Sequence, residues 1–181
     1  DETIALTKEY GNNASYCMLA CGNEPSGRWV AWVSKFVDYW KATDPRRVYT
    51  GASVGNSWQW QPHNEYHVKA GARGLSWAGA QPESESDYRT RIDTVKQPYV
   101  SHETGQWCVF PNFNEIRKYT GVNKAKNFEI FRDILNDNQM GSQSHDFMMA
   151  SGKLQALCYK HEIEKTLRTP GLCGIPVAGS Q

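Results

Sequence analysis

The chain has 181 residues, a formal net charge of +1 at pH 7 and five cysteines. This length allows one domain with a core of its own, and the near-neutral charge gives no electrostatic basis for binding nucleic acid. No run of about 18 apolar residues occurs, so the sequence predicts no membrane span. The first residues show no signal peptide from which a compartment could be inferred.

The cysteines have irregular spacing and form no CxxC pair. Without such pairs or a clustered histidine, the sequence predicts no zinc site. A chain that can bury a core of this size does not need a disulfide scaffold. We therefore expect free thiols, buried as small apolar side chains. The five residues are Cys17, Cys21, Cys108, Cys158 and Cys173.

Apolar patterning and turn residues divide the chain into alternating strands and helices. The predicted strands cover 15–20, 47–52, 65–69, 98–102 and 171–177. The predicted helices cover 2–10, 25–42, a short stretch within 83–94, 123–136 and 143–168. The second helix repeats apolar residues at three- and four-residue steps from Trp29 to Trp40. Strands that alternate with helices predict an α/β fold with parallel strands and crossover helices.

Two α/β folds have this order of elements, a doubly wound open sheet and a TIM (β/α)8 barrel. An open sheet usually has a glycine-rich phosphate loop after a strand, and the chain has neither GxGxxG nor GxxxxGK[ST]; its GARG segment at 71–74 lacks the context. We therefore expect the barrel. A complete barrel takes about 250 residues and eight strands. Residues 1–181 are thus predicted to form a single partial barrel domain that lacks the first strands.

Two glutamates, Glu24 and Glu103, lie at the ends of predicted strands. Residues at the carboxyl ends of barrel strands line the active site, and the intervening chain has room for three strand-to-strand steps, so the carboxylates should face each other. Two opposed carboxylates are what glycosidic bond cleavage needs. One must be protonated so that it can donate a proton to the leaving oxygen. The other must be ionised so that it can attack or stabilise the anomeric carbon.

Four neighbouring side chains fit a sugar site. We expect Asn23 to hydrogen-bond the sugar hydroxyl beside the reacting carbon, and His102 to offer a donor near a carboxylate. We expect Trp107 and Tyr66 to form part of the pocket wall, with the Tyr66 hydroxyl orienting the attacking carboxylate. The predicted partner is a carbohydrate, a β-glycoside, and the chemistry requires no metal and no other cofactor.

The central residues also have structural interpretations. Glu24 could be a surface residue, or it could interact with a helix start, because it precedes Pro25 and proline is common at the first position of a helix. Glu103 alone could be a surface residue, and His102 alone could be a structural histidine. The pairing of two strand-end glutamates favours a hydrolase over these interpretations.

The role of one pair of tryptophans stays undecided, and metal binding by one pair of histidines is disfavoured. Trp58 and Trp60 lie in a polar loop, where they could be packed or could form a flat platform for a sugar. His63 and His67 are four residues apart, but a strand or loop does not give the helical face that a metal-binding pair uses.

The segments EYGNNASYCMLACGNEP (9–25) and PYVSHETGQW (98–107) resemble parts of the catalytic barrel of glycoside hydrolase family 2. This family contains β-galactosidases, β-glucuronidases and β-mannosidases, and its clan has catalytic glutamates on strands four and seven. The resemblance covers about residues 1–172. It implies Glu24 as general acid/base with Asn23 as its substrate-binding companion, Glu103 as nucleophile, and Tyr66, in NEYHV, on strand six. It also implies exo-acting cleavage with retention through a glycosyl-enzyme intermediate.

Several parts of the family pattern have no counterpart in this sequence. Strands one to three and the β-sandwich domains before the barrel have no counterpart, so the isolated chain could be inactive and could associate with missing domains or another chain. Two alternatives remain: a non-catalytic carbohydrate-binding protein, and an incomplete barrel that needs a missing segment. An esterase is disfavoured because no GxSxG motif is present. The resemblance is compatible with a bacterial periplasmic or extracellular location.

Overall fold

The computed structural model describes residues 1–75, 79 and 81–175, and its class is mixed α/β. The helices are α1 (Glu2–Tyr10), α2 (Trp29–Thr43), α3 (Arg89–Ile92), α4 (Lys126–Asp137) and α5 (Ser144–Leu167). The strands are β1 (Met18–Asn23), β2 (Val48–Ser53), β3 (His67–Lys69), β4 (Tyr99–Ser101) and β5 (Leu172–Gly174). Among the described residues, 3-10 helices cover Phe113–Lys118 and Gly141–Gln143. No helix in these ranges combines the length and apolarity needed to cross a membrane.

The strands form two small parallel sheets. In the first sheet β1 pairs with β2, and Asn23 lies opposite Ser53. In the second sheet β4 lies between β3 and β5, and both pairings are parallel. A single parallel bridge joins Val54, just after β2, to Lys69 at the end of β3. Neighbouring strands therefore follow chain order, and their carboxyl ends lie at the same edge.

The element types agree with the sequence patterns, whereas several boundaries differ. The first strand begins three residues later than predicted and ends at Asn23, so Glu24 follows it directly. Helix α2 begins at Trp29 instead of Pro25, which leaves a turn between the strand and the helix. The last predicted strand, 171–177, is observed over Leu172–Gly174, and residues 176–177 lie outside the described residues.

Contacts divide the chain into two compact units. The first contains Asp1–Thr104 and the segment from Glu162, and the second contains Gly105–His161. In the first unit, α2 presents Val37 and Trp40 to Tyr49 of β2, and the Trp40 and Tyr49 rings stack at 6.1 Å. These two helical residues lie on the apolar face that the three- and four-residue spacing predicted. The single-domain assignment stays a prediction.

A second apolar cluster of the first unit surrounds β4. Tyr99 of β4 packs with Ala72, Tyr88 and Ile92. The Tyr99 hydroxyl also accepts a hydrogen bond from the backbone nitrogen of Gly71 at 2.8 Å. The loop after β3 is therefore fixed to the side chains of β4.

Aromatic side chains pack together in the second unit, and one of them lies against a glycine. Phe110 lies 5.7 Å from Phe113 and 5.6 Å from Phe147, measured between ring centroids. Gly105 has a φ of 85°, and the Tyr159 hydroxyl donates a hydrogen bond to its carbonyl oxygen. A side chain at position 105 would collide with the Tyr159 ring, so both the backbone angle and the packing require glycine there.

The cysteines, all within the described residues, form no disulfide, as the sequence predicted. Their predicted burial is wrong for four of them, because only Cys158 is buried. Cys17 precedes β1 and Cys108 lies in the loop after β4, and connecting segments run over the protein surface. Cys173 lies on the short outer strand β5 and is exposed, while Cys21 is half-buried.

Candidate active site

The two glutamates lie at the carboxyl ends of β1 and β4. The backbone nitrogen of Glu24 donates to the carbonyl oxygen of Ser53 at 2.9 Å, which ties this residue to the end of β2. Glu103 follows β4 after one intervening residue, His102, whose backbone nitrogen donates to Lys69 at 3.1 Å. Parallel strands therefore bring both residues to one edge of the sheets, as the sequence predicted.

Both glutamates have a left-handed backbone, with a φ of 44° at Glu24 and 50° at Glu103. The other described residue besides glycine with a positive φ is Gln139, in the turn after α4. Such a conformation costs about 1–3 kcal/mol at each residue and is concentrated at functional sites. The strain therefore coincides with the two positions where the chemistry was predicted.

The side chain of His102 lies between the two carboxylates. His102 is 5% exposed, and its Nε2 lies 3.7 Å from Oε1 of Glu24 and 3.8 Å from Oε1 of Glu103. One oxygen of each glutamate and this nitrogen all lie within 4.8 Å of one another. Within the described part of the chain, the buried Nε2 has no hydrogen-bond partner.

Arg73, which sequence reasoning missed, completes this cluster. Its Nη1 donates to the carbonyl oxygens of His102 at 2.9 Å and Glu103 at 3.0 Å, and it contacts Oε2 of Glu103 at 3.3 Å. The residue lies in the loop after β3, within the GARG segment, which the sequence pattern set aside as a phosphate loop. Its position after a strand was the available signal, because loops at the carboxyl ends of parallel strands meet at the same edge.

Several contacts fix the backbone around Arg73. The Arg91 guanidinium donates to the Arg73 carbonyl oxygen at 2.9 Å, and the Tyr88 hydroxyl donates to that of Gly74 at 3.0 Å. The buried Glu162 carboxylate accepts from the Gly74 nitrogen. Burial, followed by the nearby Glu162 carboxylate, raises the pKa of Tyr88, so this hydroxyl keeps its proton for the hydrogen bond. The loop therefore presents Arg73 to Glu103 in a fixed position.

Asn23, the last residue of β1, is exposed and lines a cavity of about 500 Å³. Trp29 and Trp32 of α2 and Arg28 also line this cavity. Asn23 thus lies on an open surface beside Glu24, where a ligand could reach its amide.

The role of Tyr66 in the site stays a prediction. Tyr66 precedes β3, whereas Glu103 follows β4, and these parallel strands place the two residues at opposite ends of the sheet. Burial, with a smaller contribution from Cys17, raises the pKa of Tyr66 to about 12.

Trp107 belongs to the second unit, and its backbone nitrogen donates to Gly105 at 2.8 Å. Its carbonyl oxygen accepts a hydrogen bond from the Gln155 side chain. The role of Trp107 in a sugar pocket stays a prediction.

The interpretation of Glu24 as a helix-start residue is wrong. Pro25 is not the first residue of a helix, because α2 begins at Trp29 and its first turn contains no acidic residue. Residues 25–28 separate Glu24 from the start of α2. The Glu24 side chain is 44% exposed, so the interpretation as a surface residue stays beside the catalytic one.

The two aromatic and histidine pairs lie in the first unit. The Trp58 ring lies 5.8 Å from Trp29, and the Trp60 ring lies 4.3 Å from the buried ring of His67. His63 contacts the Asp38 carboxylate at 2.8 Å. Each tryptophan thus contacts another ring, although Trp60 is 44% exposed. The two histidines have separate surroundings.

The cluster of Glu24, His102, Glu103 and Arg73 offers two kinds of chemistry. Two close carboxylates can transfer protons and attack an electrophilic carbon. The two glutamates and the histidine are also the only group of three or more acidic, cysteine or histidine side chains in the described residues that could hold a metal ion. No protein-family model matches the chain, and no curated protein matches it.

Proposed function

We propose that the protein is a glycoside hydrolase that cleaves β-glycosidic bonds with retention of configuration. The observation that carries this proposal is the approach of Glu24 and Glu103, which have carboxylate oxygens within 4.8 Å of each other. Retaining enzymes keep their two carboxyl groups about 5–5.5 Å apart, whereas inverting enzymes need about 6.5–9.5 Å to admit a water molecule. The short separation favours direct attack by one carboxylate.

In this mechanism Glu103 attacks the anomeric carbon while Glu24 donates a proton to the leaving oxygen. The products of this step are the free leaving group and a glycosyl ester of Glu103. Glu24, now ionised, takes a proton from water, and the resulting hydroxyl attacks the anomeric carbon and releases Glu103. Two inversions give net retention, and no metal or cofactor takes part.

The neighbours of the two glutamates suit these different tasks. Glu103 contacts the Arg73 guanidinium at 3.3 Å, and an ion-paired carboxylate suits an ionised nucleophile. Glu24 is more exposed, with 44% of its side chain accessible, so it can exchange protons with water. We also propose that Asn23 contacts the sugar and that His102 orients both carboxylates.

We further propose that the five strands form a continuous section of a (β/α)8 barrel. All their pairings are parallel and join consecutive strands, and the bridge between Val54 and Lys69 links the two sheets. A doubly wound sheet instead reverses its strand order at a switch point. Consecutive order supports the barrel section.

The test compares hydrolysis of aryl β-glycosides by the full chain and by two isosteric variants. With a poor leaving group, Glu24→Gln should lower the rate by about 10²–10⁴-fold, because the leaving oxygen then departs without its proton. With a good leaving group that needs no proton, the loss in the first step should be much smaller. Glu103→Gln should be inactive with both, and the exposed Glu85→Gln should match the unaltered chain.

A 2-fluoro aryl β-glycoside offers a second measurement, because the fluorine slows release of the covalent intermediate. Mass spectrometry of peptides should locate the sugar on Glu103. If no glycoside is turned over and sugar binding is unchanged in Glu103→Gln, the retaining mechanism is wrong. The non-catalytic carbohydrate-binding alternative would then take its place.

A further inference from the structure

We propose that Glu24, His102 and Glu103 form a binding site for a divalent transition-metal ion of the zinc class. This inference does not depend on the proposed hydrolase activity. Its basis is the buried Nε2 of His102, which has no hydrogen-bond partner among the described residues and faces two carboxylates. A buried imidazole nitrogen without a partner is costly, and a metal ion would satisfy it.

The distances between the three ligand atoms fit such an ion closely. Zinc bonds to nitrogen and oxygen of about 2.0–2.2 Å place neighbouring ligands of a tetrahedral site roughly 3.4 Å apart. The imidazole nitrogen lies 3.7 Å and 3.8 Å from the two carboxylates. The carboxylate oxygens lie within 4.8 Å of each other, and the Glu24 side chain is 44% exposed and can turn towards the imidazole. The remaining coordination position is left for water or another ligand.

The charge of the cluster also fits a cation. Two carboxylates and the Arg73 guanidinium give a net charge of −1 when His102 is neutral. Arg73 contacts Oε2 of Glu103, whereas Oε1 of the same carboxylate faces His102. The arginine therefore orients Glu103 with Oε1 on the side of the imidazole, where the metal would bind.

The imidazole ligand defines the class of metal. Mg²⁺ and Ca²⁺ prefer sites made only of oxygen atoms, whereas Zn²⁺ and Co²⁺ bind imidazole well. The bound ion would occupy both carboxylates, so Zn²⁺ and a substrate sugar would exclude each other. In the absence of any sugar, binding of Zn²⁺ to the chain should be measurable directly.

The test is calorimetric titration of the full chain with zinc chloride and with magnesium chloride. Exposed thiols also bind zinc, so the titrated chain has the four cysteines outside the core replaced by serine, namely Cys17, Cys21, Cys108 and Cys173. We expect one Zn²⁺ per chain and much weaker binding of Mg²⁺. Equal affinity for the two ions would overturn the proposal, because His102 would then contribute nothing.

Variants locate the zinc. Losing one ligand should weaken zinc binding by at least about tenfold, since even outer partners of metal ligands contribute that much. The variants are Glu24→Gln, Glu103→Gln and His102→Gln, with His63→Gln as a control for an exposed histidine. Glu24 is partly exposed, so its variant keeps the test decisive even if the buried His102 variant fails to fold. No zinc binding, or binding unchanged in Glu24→Gln, would contradict the site.

Discussion

At the scale of single residues, Gly51 shows how closely the backbone of β2 approaches its neighbours. A Cβ atom at this position would lie 2.6 Å from the Val33 Cγ2 of α2 and would collide with the Gln61 amide oxygen. Real Cβ atoms do not approach other atoms this closely, so an added methyl group would force β2 away from α2. Glycine here sets the distance between the helix and the sheet.

We expect Gly51→Ala to lower the free energy of unfolding by about 1–3 kcal/mol, the usual range for overpacking a close-packed interior. Urea unfolding followed by circular dichroism measures this loss. Gly22→Ala in β1 is the matched control, because a methyl group there has nothing within 4 Å. Equal stability of the two variants would show that β2 has room to move.

The sequence identified part of the site because residues that come just after a strand can be recognised from the apolar pattern before them. Glu24, His102 and Glu103 lie at such positions, and parallel pairing then brings them together. Arg73 was missed because its loop has no apolar pattern and its contact to Glu103 depends on how that loop folds back. Tyr66 lies at the amino end of β3, and its role in the site stays a prediction.

At the scale of elements, side chains take the place of a paired strand along one edge of β2. The Gln61 amide accepts from the Ala52 nitrogen at 2.8 Å and donates to the Ala52 carbonyl oxygen at 3.0 Å. The Asn64 amide oxygen accepts from the Gly51 nitrogen at 2.8 Å. This loop thus satisfies buried backbone groups between the two sheets.

We expect Gln61→Leu to destabilise the protein markedly, because the nitrogen and the carbonyl oxygen of Ala52 would remain buried without partners. Each unsatisfied group costs about 1–3 kcal/mol. The change is measured from the urea midpoint, and Gln59→Leu at an exposed position of the same loop is the control. A midpoint unchanged in Gln61→Leu would mean that water replaces the amide.

The sequence predicted the elements better than it predicted their ends. The apolar period of α2 was clear, but its start was placed at Pro25 because a proline often begins a helix. The chain instead uses residues 24–28 as a turn, with left-handed angles at Glu24 and Gly27. Strands β3 and β4 are three residues long, too short for an alternating pattern to define their limits.

At the scale of the whole molecule, a charged cluster joins α1, α2 and β2 within the first unit. Asp44, which follows α2, accepts hydrogen bonds from Arg46 at 2.7 and 2.9 Å and from Arg47. The buried Arg47 also donates to the carbonyl oxygen of Gly11 at the end of α1. The Tyr49 hydroxyl of β2 donates to the Asp44 carbonyl oxygen at 2.7 Å. The Asp44 carboxylate holds the two arginines, and Arg47 and the Asp44 backbone carry the contacts to α1 and β2.

This cluster makes the protein sensitive to acid. The Arg46 hydrogen bond is the main cause that lowers the pKa of Asp44 from 3.8 to about 2. A pKa lower in the folded than in the unfolded state gives stability at neutral pH, which is lost as the pH falls from about 4 towards 2. Glu83, hydrogen-bonded by Ser86, has its pKa lowered to about 2 and acts in the same direction.

We expect the unfolding midpoint in urea to fall between pH values of about 6 and 3, and to fall less in Asp44→Asn. The variant should be less stable at neutral pH because it loses the ion pairs. Asp93→Asn, which changes an exposed carboxylate, should keep the full dependence on pH. An acid response in Asp44→Asn as steep as in the unaltered chain would rule out a contribution from Asp44.

The left-handed backbone at Glu24 and Glu103 lowers the stability of the fold at the two positions where the proposed mechanism needs a carboxylate. Asparagine adopts such angles several-fold more readily than glutamate, so it would relieve strain at either position. Asparagine at both positions would raise the thermal stability of the protein and would remove both carboxylates. Glutamate at these two positions therefore costs stability that asparagine would restore, whereas the proposed hydrolysis requires the carboxylates that asparagine lacks.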